Sequence, residues 1–165
     1  MIENVATPVD FWRLAAARRR FDGVLALRQL RRLQSVLVDA EGECVFSLQF
    51  DCESALQRAT VDVSVSAQLP LRCQRSLARF LFPVSVRQTL GLIRDDTEEA
   101  RLAVGHEPLL VPVDGCLSLA SVVEDELLLA VPIVPIAPGS ALCQPNGDED
   151  VPRTRPFAVL ANLKT

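Results

Sequence analysis

Apolar and polar residues alternate along the middle of the chain, and this alternation predicts long β-strands. Every second residue is apolar between positions 43 and 52, and again between positions 59 and 73. A period of two is typical of strands that bury one face and expose the other, as in antiparallel sheets. The residues predicted to point inward are Cys44, Phe46, Leu48, Phe50, Cys52, Val61, Val63, Val65, Ala67, Leu69, Leu71 and Cys73.

A third run of the same kind covers residues 79–92. Its predicted inner face carries Phe80, Phe82, Val84 and Val86. The stretch 73–79 between the second and third strands is therefore predicted to be a turn. Because Pro70 has no amide hydrogen to donate to a neighbouring strand, it should lie at a sheet edge or a bulge.

The amino-terminal part of the chain predicts a helix followed by a strand. Residues 8–19 include a run of alanines, which favours a helix, and either Asp10 or Thr7 can cap it. The apolar residues of 21–27 then predict a short strand, preceded by a turn at Asp22-Gly23.

Two further helices are predicted from the spacing of apolar residues. A short one covers 28–34, with Leu30 and Leu33 pointing inward. The other covers 118–131, because Ser118 is a good cap and Pro132 cannot continue a helix. The predicted inner face of this second helix carries Leu119, Val122, Val123, Leu127 and Ala130.

These elements predict one α+β domain over residues 1–165, with a mostly antiparallel sheet packed against amino-terminal and carboxy-terminal helices. A sheet curled toward a barrel is the alternative arrangement. The acidic stretch 94–108 is predicted to be irregular. Residues 138–155 are rich in Pro, Gly and acids and predict a mobile linker. The apolar tail 156–165 is then expected to dock on its own domain or on a partner.

Composition narrows the class of protein. The chain has 165 residues, which suits a single domain. Its first residues do not resemble a secretory signal, and three prolines interrupt its longest apolar run. We therefore expect a cytoplasmic protein without a membrane span, whose five cysteines are reduced thiols.

The usual parts of an enzyme active site are missing from the sequence. His106 is the only histidine, and glycines are scarce and follow no phosphate-binding pattern. Glu124, Asp125 and Glu126 offer carboxylates for acid–base chemistry, but a solvated stripe on an amphipathic helix is the favoured interpretation. The sequence therefore predicts a protein that is not an enzyme and needs no cofactor.

Cysteine spacing also argues against a metal site. Cys73 is followed by Ser76, where a second thiol would complete a Cys-x-x-Cys pair, and no such pair exists in the chain. A structural zinc ion needs four ligands, which usually come as two close pairs. Residues 44, 52 and 73 lie on the apolar sides of predicted strands, where cysteine behaves as a small hydrophobe.

Charge is divided unevenly along the chain. Residues 1–94 carry 13 arginines and 9 acids, whereas residues 95–165 carry 4 basic and 12 acidic residues, which together give the net charge of −4. This division indicates a basic face and an acidic face, although scattered solvated charge explains it equally well. With one Trp and no Tyr, stacking on single-stranded nucleic acid is not favoured by composition.

Several motifs together resemble the bacterial YceD family, the large ribosomal RNA subunit accumulation proteins. Members of this family carry a Cys-x-Arg-Cys motif, an acidic helix that runs into a Leu-Pro-x-x-Pro segment, and a Pro-Phe-x-x-Leu ending. The matching residues here are Cys73, Arg75, Glu124, Asp125, Glu126, Pro132, Pro135, Pro156, Phe157 and Leu160. Ser76 departs from the family pattern, so that the essential parts of the first motif are expected to be Arg75 and the turn geometry.

The resemblance implies a role in the accumulation or processing of large-subunit (23S) ribosomal RNA, and it leaves the direct partner open. Two arginine groups are candidates for contacts with RNA phosphates. One is Arg72, Arg75 and Arg79 at the predicted turn, and the other is Arg18, Arg19 and Arg20, with Arg28, Arg31 and Arg32 beyond. Alternatively, the acidic carboxy-terminal half holds a basic ribosomal protein, in the pre-ribosomal particle or before assembly.

Overall fold

The fold is known from a computed structural model that describes residues 5–53 and 58–140. In these two ranges, seven strands and two helices follow one another. The strands are β1 (Pro8–Asp10), β2 (Arg20–Ala26), β3 (Glu43–Glu53), β4 (Arg58–Arg72), β5 (Arg79–Ile93), β6 (His106–Leu110) and β7 (Cys116–Ser118). The helices are α1 (Phe11–Ala16) and α2 (Leu119–Ala130), and short 3-10 turns cover Leu27–Gln29, Leu33–Ser35 and Asp96–Arg101.

Five of the strands form one sheet in the order β2-β3-β4-β5-β6. The predicted long strands are confirmed, and so is their alternation: the inward residues of β3 and β4 are buried, apart from the half-buried Cys52, while most of their neighbours are partly or fully exposed. Pro70 follows the prediction as well. On one side it pairs with Leu81 of β5. On the other side β3 pairs with β4 only as far as Ala67, so no residue of β3 requires a hydrogen bond from the missing amide.

The amino terminus departs from the predicted helix over residues 8–19. Its first three residues form β1, which pairs with β7 in a separate two-stranded sheet. Asp10 then caps α1 by accepting the Arg13 amide hydrogen at 3.1 Å, as one of the two predicted caps. The helix ends at Ala16 because Arg18 adopts a φ of +48°, which turns the chain into β2.

Two local predictions in this region are wrong. Asp22-Gly23 is not a turn, since both residues lie within β2 and pair with Ser47 and Phe46 of β3. The segment 28–34 does not form a continuous helix. Its two ends belong to the 3-10 turns Leu27–Gln29 and Leu33–Ser35, and residues 30–32 connect them. Its apolar side is nevertheless as predicted, because Leu30 and Leu33 are buried.

Both helices lie against the apolar face of the sheet, with α1 against β3 and β4 and α2 against β4 and β5. Ser118 caps α2 by accepting the Ser121 amide hydrogen at 3.0 Å, as predicted. The predicted inner face of α2 is buried, apart from the half-buried Ala130. Burial of this face against the sheet is the hydrophobic contribution that stabilises the helix in place.

The sheet is open and does not close into a barrel. Its edge strands β2 and β6 lie at opposite ends of the strand order and do not pair with each other. Closure is unnecessary because the helices cover the apolar face. The stretch predicted to be irregular also holds more structure than expected, since β6 runs parallel to β5 from Thr89↔His106 to Ile93↔Leu110.

Most of the predicted linker 138–155 and the whole predicted docking tail 156–165 lie outside the described residues. The same is true of Cys143 and of the family-motif residues Pro156, Phe157 and Leu160. Within the described ranges, no helix is both long enough and apolar enough to cross a membrane.

Candidate nucleic-acid interface

The predicted turn between β4 and β5 is a tight, hydrogen-bonded loop. The Cys73 amide donates to the Ala78 carbonyl at 2.9 Å, and the Leu77 amide donates to the Cys73 carbonyl at 2.8 Å. Leu77 adopts a φ of +58°, which is uncommon for a residue with a side chain and marks a fixed geometry. Because Arg72 and Arg79 pair directly at its base, the turn presents its side chains on a rigid hairpin.

Cys73 lies under this turn, fully buried. Its Sγ accepts the amide hydrogens of Ser76 at 3.4 Å and of Ala137 at 3.3 Å. The pKa of the Cys73 thiol is lowered to about 6, most by a hydrogen bond with the Ser76 side chain and next by the hydrogen bond from the Ala137 amide. Burial acts in the opposite direction but has a smaller effect. The thiol is thus held by local hydrogen bonds within the turn and from the segment after α2.

The stability that Cys73 contributes should depend on pH. The pKa of this thiol is about 6 in the folded protein and near 9 in the unfolded chain. Its thiolate therefore stabilises the fold fully above pH 9, and this contribution is lost as pH falls through 6. Urea unfolding should therefore show that Cys73→Ala destabilises more at pH 8 than at pH 6.

Cys44 offers the matched control for this measurement. It is also fully buried, but burial raises its pKa to about 11, so it stays protonated in both states between pH 6 and pH 8. Cys44→Ala should cost the same at both pH values. A Cys73→Ala cost that is equally constant would contradict the thiolate assignment.

The three arginines of the turn differ in their surroundings. Arg79 makes two hydrogen bonds to the Asp39 carboxylate, at 2.6 and 3.3 Å, and lies 3.8 Å from Glu41. Arg75 donates to the Ser140 carbonyl at 3.1 Å and so holds the chain beyond α2 against the turn. Arg72 is exposed and makes no ion pair with the residues that the structure describes.

The Arg18–Arg20 group lies at the opposite end of the sheet. Arg18 pairs with Asp51 at 2.9 Å and donates to the Cys52 carbonyl at the far end of β3. Arg20 pairs with Gln49, which lies opposite Asp62 of β4, ten residues before Arg72. Because each strand residue advances about 3.3 Å, the two predicted arginine groups are about 35 Å apart. The structure therefore does not bring them together into one patch.

Other members of the amino-terminal group are partly engaged. Arg20 makes a bidentate contact with Asp22, with Nε–Oδ2 at 2.9 Å, which lowers the pKa of that carboxyl. Arg32 forms an ion pair with Asp125 of α2. Arg19 is exposed, and no ion pair involves it among the residues described.

The acidic motif of α2 is not the solvated stripe that the sequence predicted. Glu124 and Glu126 are buried, with 8% and 4% of their surface exposed, and only Asp125 reaches the surface. Glu124 Oε1 accepts the amide hydrogens of Arg32 at 2.6 Å and of Leu33 at 3.0 Å. This carboxylate therefore caps the turn at Leu33–Ser35, whose first amides have no other acceptor in the turn.

Glu126 serves a second internal contact. It faces Gln88, the one polar residue that β5 places on the apolar face between Val86 and Leu90, and accepts a hydrogen bond from its side-chain amide. Burial is the main cause that raises the pKa of Glu126. The sequence pattern missed both contacts because they join residues 38 and 92 positions apart.

The proline segment after α2 also reaches back to the turn. Pro135, a family-motif residue, accepts the Gln74 amide hydrogen on its carbonyl at 2.8 Å. Pro132 follows the helix directly, which fits its predicted role as the end of α2. The Cys73–Arg75 motif and the proline segment after α2 thus contact each other at the β4–β5 turn.

Four residues that the sequence analysis did not select gather at the other end of the sheet: Trp12, Arg58, Arg94 and Arg101 line one cavity. The Arg94 guanidinium carbon lies 4.6 Å from the centroid of the Trp12 ring, a cation–π contact. Sequence spacing gave no signal for this group, because its members come from four separate segments of the chain.

Cysteines and possible metal ligands are distributed without clustering. The four described cysteines, at positions 44, 52, 73 and 116, are all free thiols. In the described part of the chain, no three residues among His, Cys, Asp and Glu come together in a way that would hold a metal ion. His106 lies half-buried at the start of β6.

Comparison with known proteins agrees with the motifs. The chain matches the model of the family described as "Large ribosomal RNA subunit accumulation protein YceD" over residues 61–164, more than half of its length. A protein of the same name from Haemophilus influenzae (strain ATCC 51907 / DSM 11121 / KW20 / Rd) is 28% identical over 174 aligned residues, which cover 99% of each chain. No solved structure gives a significant match. The motif residues and the family match lead to one conclusion: this chain belongs to the YceD family.

Proposed function

We propose that this protein acts in the cytoplasm as a non-catalytic ribosome biogenesis factor that supports the accumulation of large-subunit ribosomal RNA by binding that RNA directly. The role follows from the family, whose name refers to large ribosomal RNA subunit accumulation. The binding mode is argued from arginines on the surface of the fold.

The observation that carries the proposal is the arginine-bearing turn between β4 and β5. Arg72 is exposed without a carboxylate partner among the described residues, and Arg75 is exposed with one hydrogen bond to a carbonyl. A guanidinium forms two parallel hydrogen bonds to a phosphate, and such contacts release counterions from RNA. The rigid hairpin holds both groups in place before RNA arrives.

Contacts along a length of RNA suit the separation of the two arginine groups. Arg19 and its neighbours are about 35 Å from the turn, judged from their register along β4. A folded ribosomal RNA segment offers phosphates over such a distance, whereas a small ligand does not. The second group therefore adds independent phosphate contacts in this proposal.

The alternative, an adaptor for a basic ribosomal protein, loses its best candidate surface. Two of the three carboxylates of the acidic motif point inward to backbone amides or to Gln88, and the third is paired with Arg32. Near the start of the 3-10 turn Asp96–Arg101, the acids that remain exposed are Asp95, Asp96 and Glu99. The internal role of the motif favours RNA over a basic protein as the partner.

Replacement of both turn arginines tests the proposal. Arg72→Ala/Arg75→Ala should weaken binding to a large-subunit ribosomal RNA transcript. The plot of log K against log salt should lose about 0.7 of slope per contact on single strands and about 0.9 on duplex. Filter binding at several salt concentrations measures this slope.

Arg87→Ala provides a control for each single replacement, because it removes one positive charge from an exposed position in the middle of β5. Its slope should stay close to that of the unaltered protein. Melting temperatures of all variants would reveal a structural role of Arg75 at Ser140. An unchanged slope in the double variant, with an unchanged melting temperature, would rule out phosphate contacts at this turn. Crosslinking in cells that recovers a ribosomal protein but no RNA would favour the adaptor.

A further inference from the structure

A cavity of about 670 Å³ opens at the end of the sheet opposite the Cys73 turn. Six elements meet there: α1, the end of β3, the start of β4, the end of β5, the turn Asp96–Arg101, and the start of β6. Its volume lies within the range of about 300–1,000 Å³ that is typical of small-ligand sites. The convergence of separate segments makes it a feature of the tertiary structure.

The charged residues of this cavity are mostly basic. Arg58, Arg94 and Arg101 line it, and Glu98 is the one carboxylate among the lining residues that the structure describes. Glu98 already accepts the backbone amide hydrogen of Arg94 at 2.8 Å, which ties the 3-10 turn to the end of β5. No ion pair joins these three arginines to a side chain that the structure describes, and together they bring three positive charges to one cavity.

Apart from Thr60 and His106, the remaining lining is apolar, and it includes the only tryptophan of the chain. Leu92 and Ile93 are buried, and Leu102 packs beside Gly91. Trp12 carries the Arg94 guanidinium on its ring at 4.6 Å. Flat surfaces of this kind, an indole and a planar guanidinium, are those on which RNA-binding proteins stack bases.

We infer that this cavity holds one nucleotide of single-stranded RNA, with its base against the Trp12–Arg94 pair and the apolar lining, and its phosphate at Arg58 and Arg101. The inference rests on the proposed function and names a site for it. It places nucleotide binding at the end of the sheet where the Arg18–Arg20 group also lies. Composition alone argued against stacking, but a single well-placed ring is sufficient for one base.

The combination of groups favours a nucleotide over an acidic peptide. A peptide carboxylate needs only the arginines, whereas a nucleotide uses the arginines, the ring and the apolar surface together. The preformed Trp12–Arg94 contact also fixes one guanidinium plane in advance, which suits a flat ligand. An acidic peptide is therefore the competing ligand in the test.

Trp12 reports directly on its own cavity, because it is the only tryptophan in the chain. Titration of the full protein with a ten-nucleotide single-stranded oligoadenylate RNA should quench its fluorescence, and so should adenosine monophosphate at higher concentration. Decaglutamate should leave the emission unchanged. Quenching by decaglutamate as strong as that by RNA would overturn the nucleotide assignment.

Arginine variants then locate the phosphate. Arg58→Ala and Arg101→Ala should each raise the Kd for the oligonucleotide at least fivefold. Arg101→Lys keeps the charge but loses the bidentate fork, so its Kd should lie between those of the unaltered protein and Arg101→Ala. Arg87→Ala, the matched control of equal charge change, should alter the Kd less than twofold. Circular dichroism of each variant would show that the fold is retained.

The outcomes for this site and for the proposed function are separable. If filter binding shows that the protein binds RNA, but Trp12 does not respond and Arg58→Ala and Arg101→Ala bind as the unaltered protein does, the cavity inference is wrong and the proposed function stands. If no RNA is bound by the unaltered protein in either assay, the proposed function fails and the site assignment fails with it.

Discussion

Glu124→Ala is expected to destabilise the protein by about 2–4 kcal/mol. The substitution leaves the amides of Arg32 and Leu33 without the carboxylate oxygen that both use, and the Leu33 contact is buried. A hydrogen bond to a charged group contributes about 1.5–3 kcal/mol, and two that share one oxygen are not fully additive. Urea unfolding followed by circular dichroism measures the change.

Two companion variants make this result specific. Glu124→Gln keeps an oxygen acceptor in the same place and should cost less than Glu124→Ala. Asp125→Ala removes the neighbouring carboxylate, whose pair with Arg32 is exposed on both sides, at 43% and 58%, and should cost within about 1 kcal/mol. Equal costs for Glu124→Ala and Asp125→Ala would contradict the internal role of Glu124.

Phe50→Ala is expected to have an effect of about 3–5 kcal/mol, the usual range for loss of a fully buried phenylalanine. Phe50 is fully buried on β3, stacks on Phe11 of α1 with ring centroids 5.0 Å apart, and meets Phe21 edge-on at 6.1 Å. Its removal leaves a cavity beneath the first residue of α1. Chemical denaturation would give the change in free energy of unfolding.

The same substitution should also disturb the proposed nucleotide site, because Trp12 directly follows Phe11 in α1. We expect the Trp12 emission of the folded variant to shift, as its contact with Arg94 loosens. Phe82→Ala is the control, since Phe82 is only half-buried and contacts Phe80 toward the other end of the sheet. It should cost less and leave Trp12 emission unchanged. A Phe50→Ala variant as stable as Phe82→Ala would show that the Phe11–Phe50 stack contributes little.

Much of the sheet was predictable from the sequence. The alternation in β3, β4 and β5 places residues such as Phe46 and Val63 inward, and a one-residue slip of register would expose them. The caps at Asp10 and Ser118 were also readable, because a cap acts on amides only three residues away. Local sequence therefore determined the three long strands β3, β4 and β5, the hairpin turn that carries Arg72 and Arg75, and both ends of the longer helix.

Contacts between distant residues decided what the sequence pattern left out. Residues 8–10 became a strand because β7 offers a partner, an outcome that overrides helix propensity. Glu124 turned inward because the amides at 32 and 33 lack another acceptor, although its spacing on the helix suited solvent equally well.

The candidate sites divide in the same way. The sequence alone placed the arginines of one site on a hairpin turn, where neighbours in the chain are neighbours in space. The Trp12 cavity joins α1 to residues 58, 94 and 101, and no local pattern links positions so far apart. Only the packing of α1 and the turn Asp96–Arg101 against the end of the sheet brings those guanidinium groups around one ring.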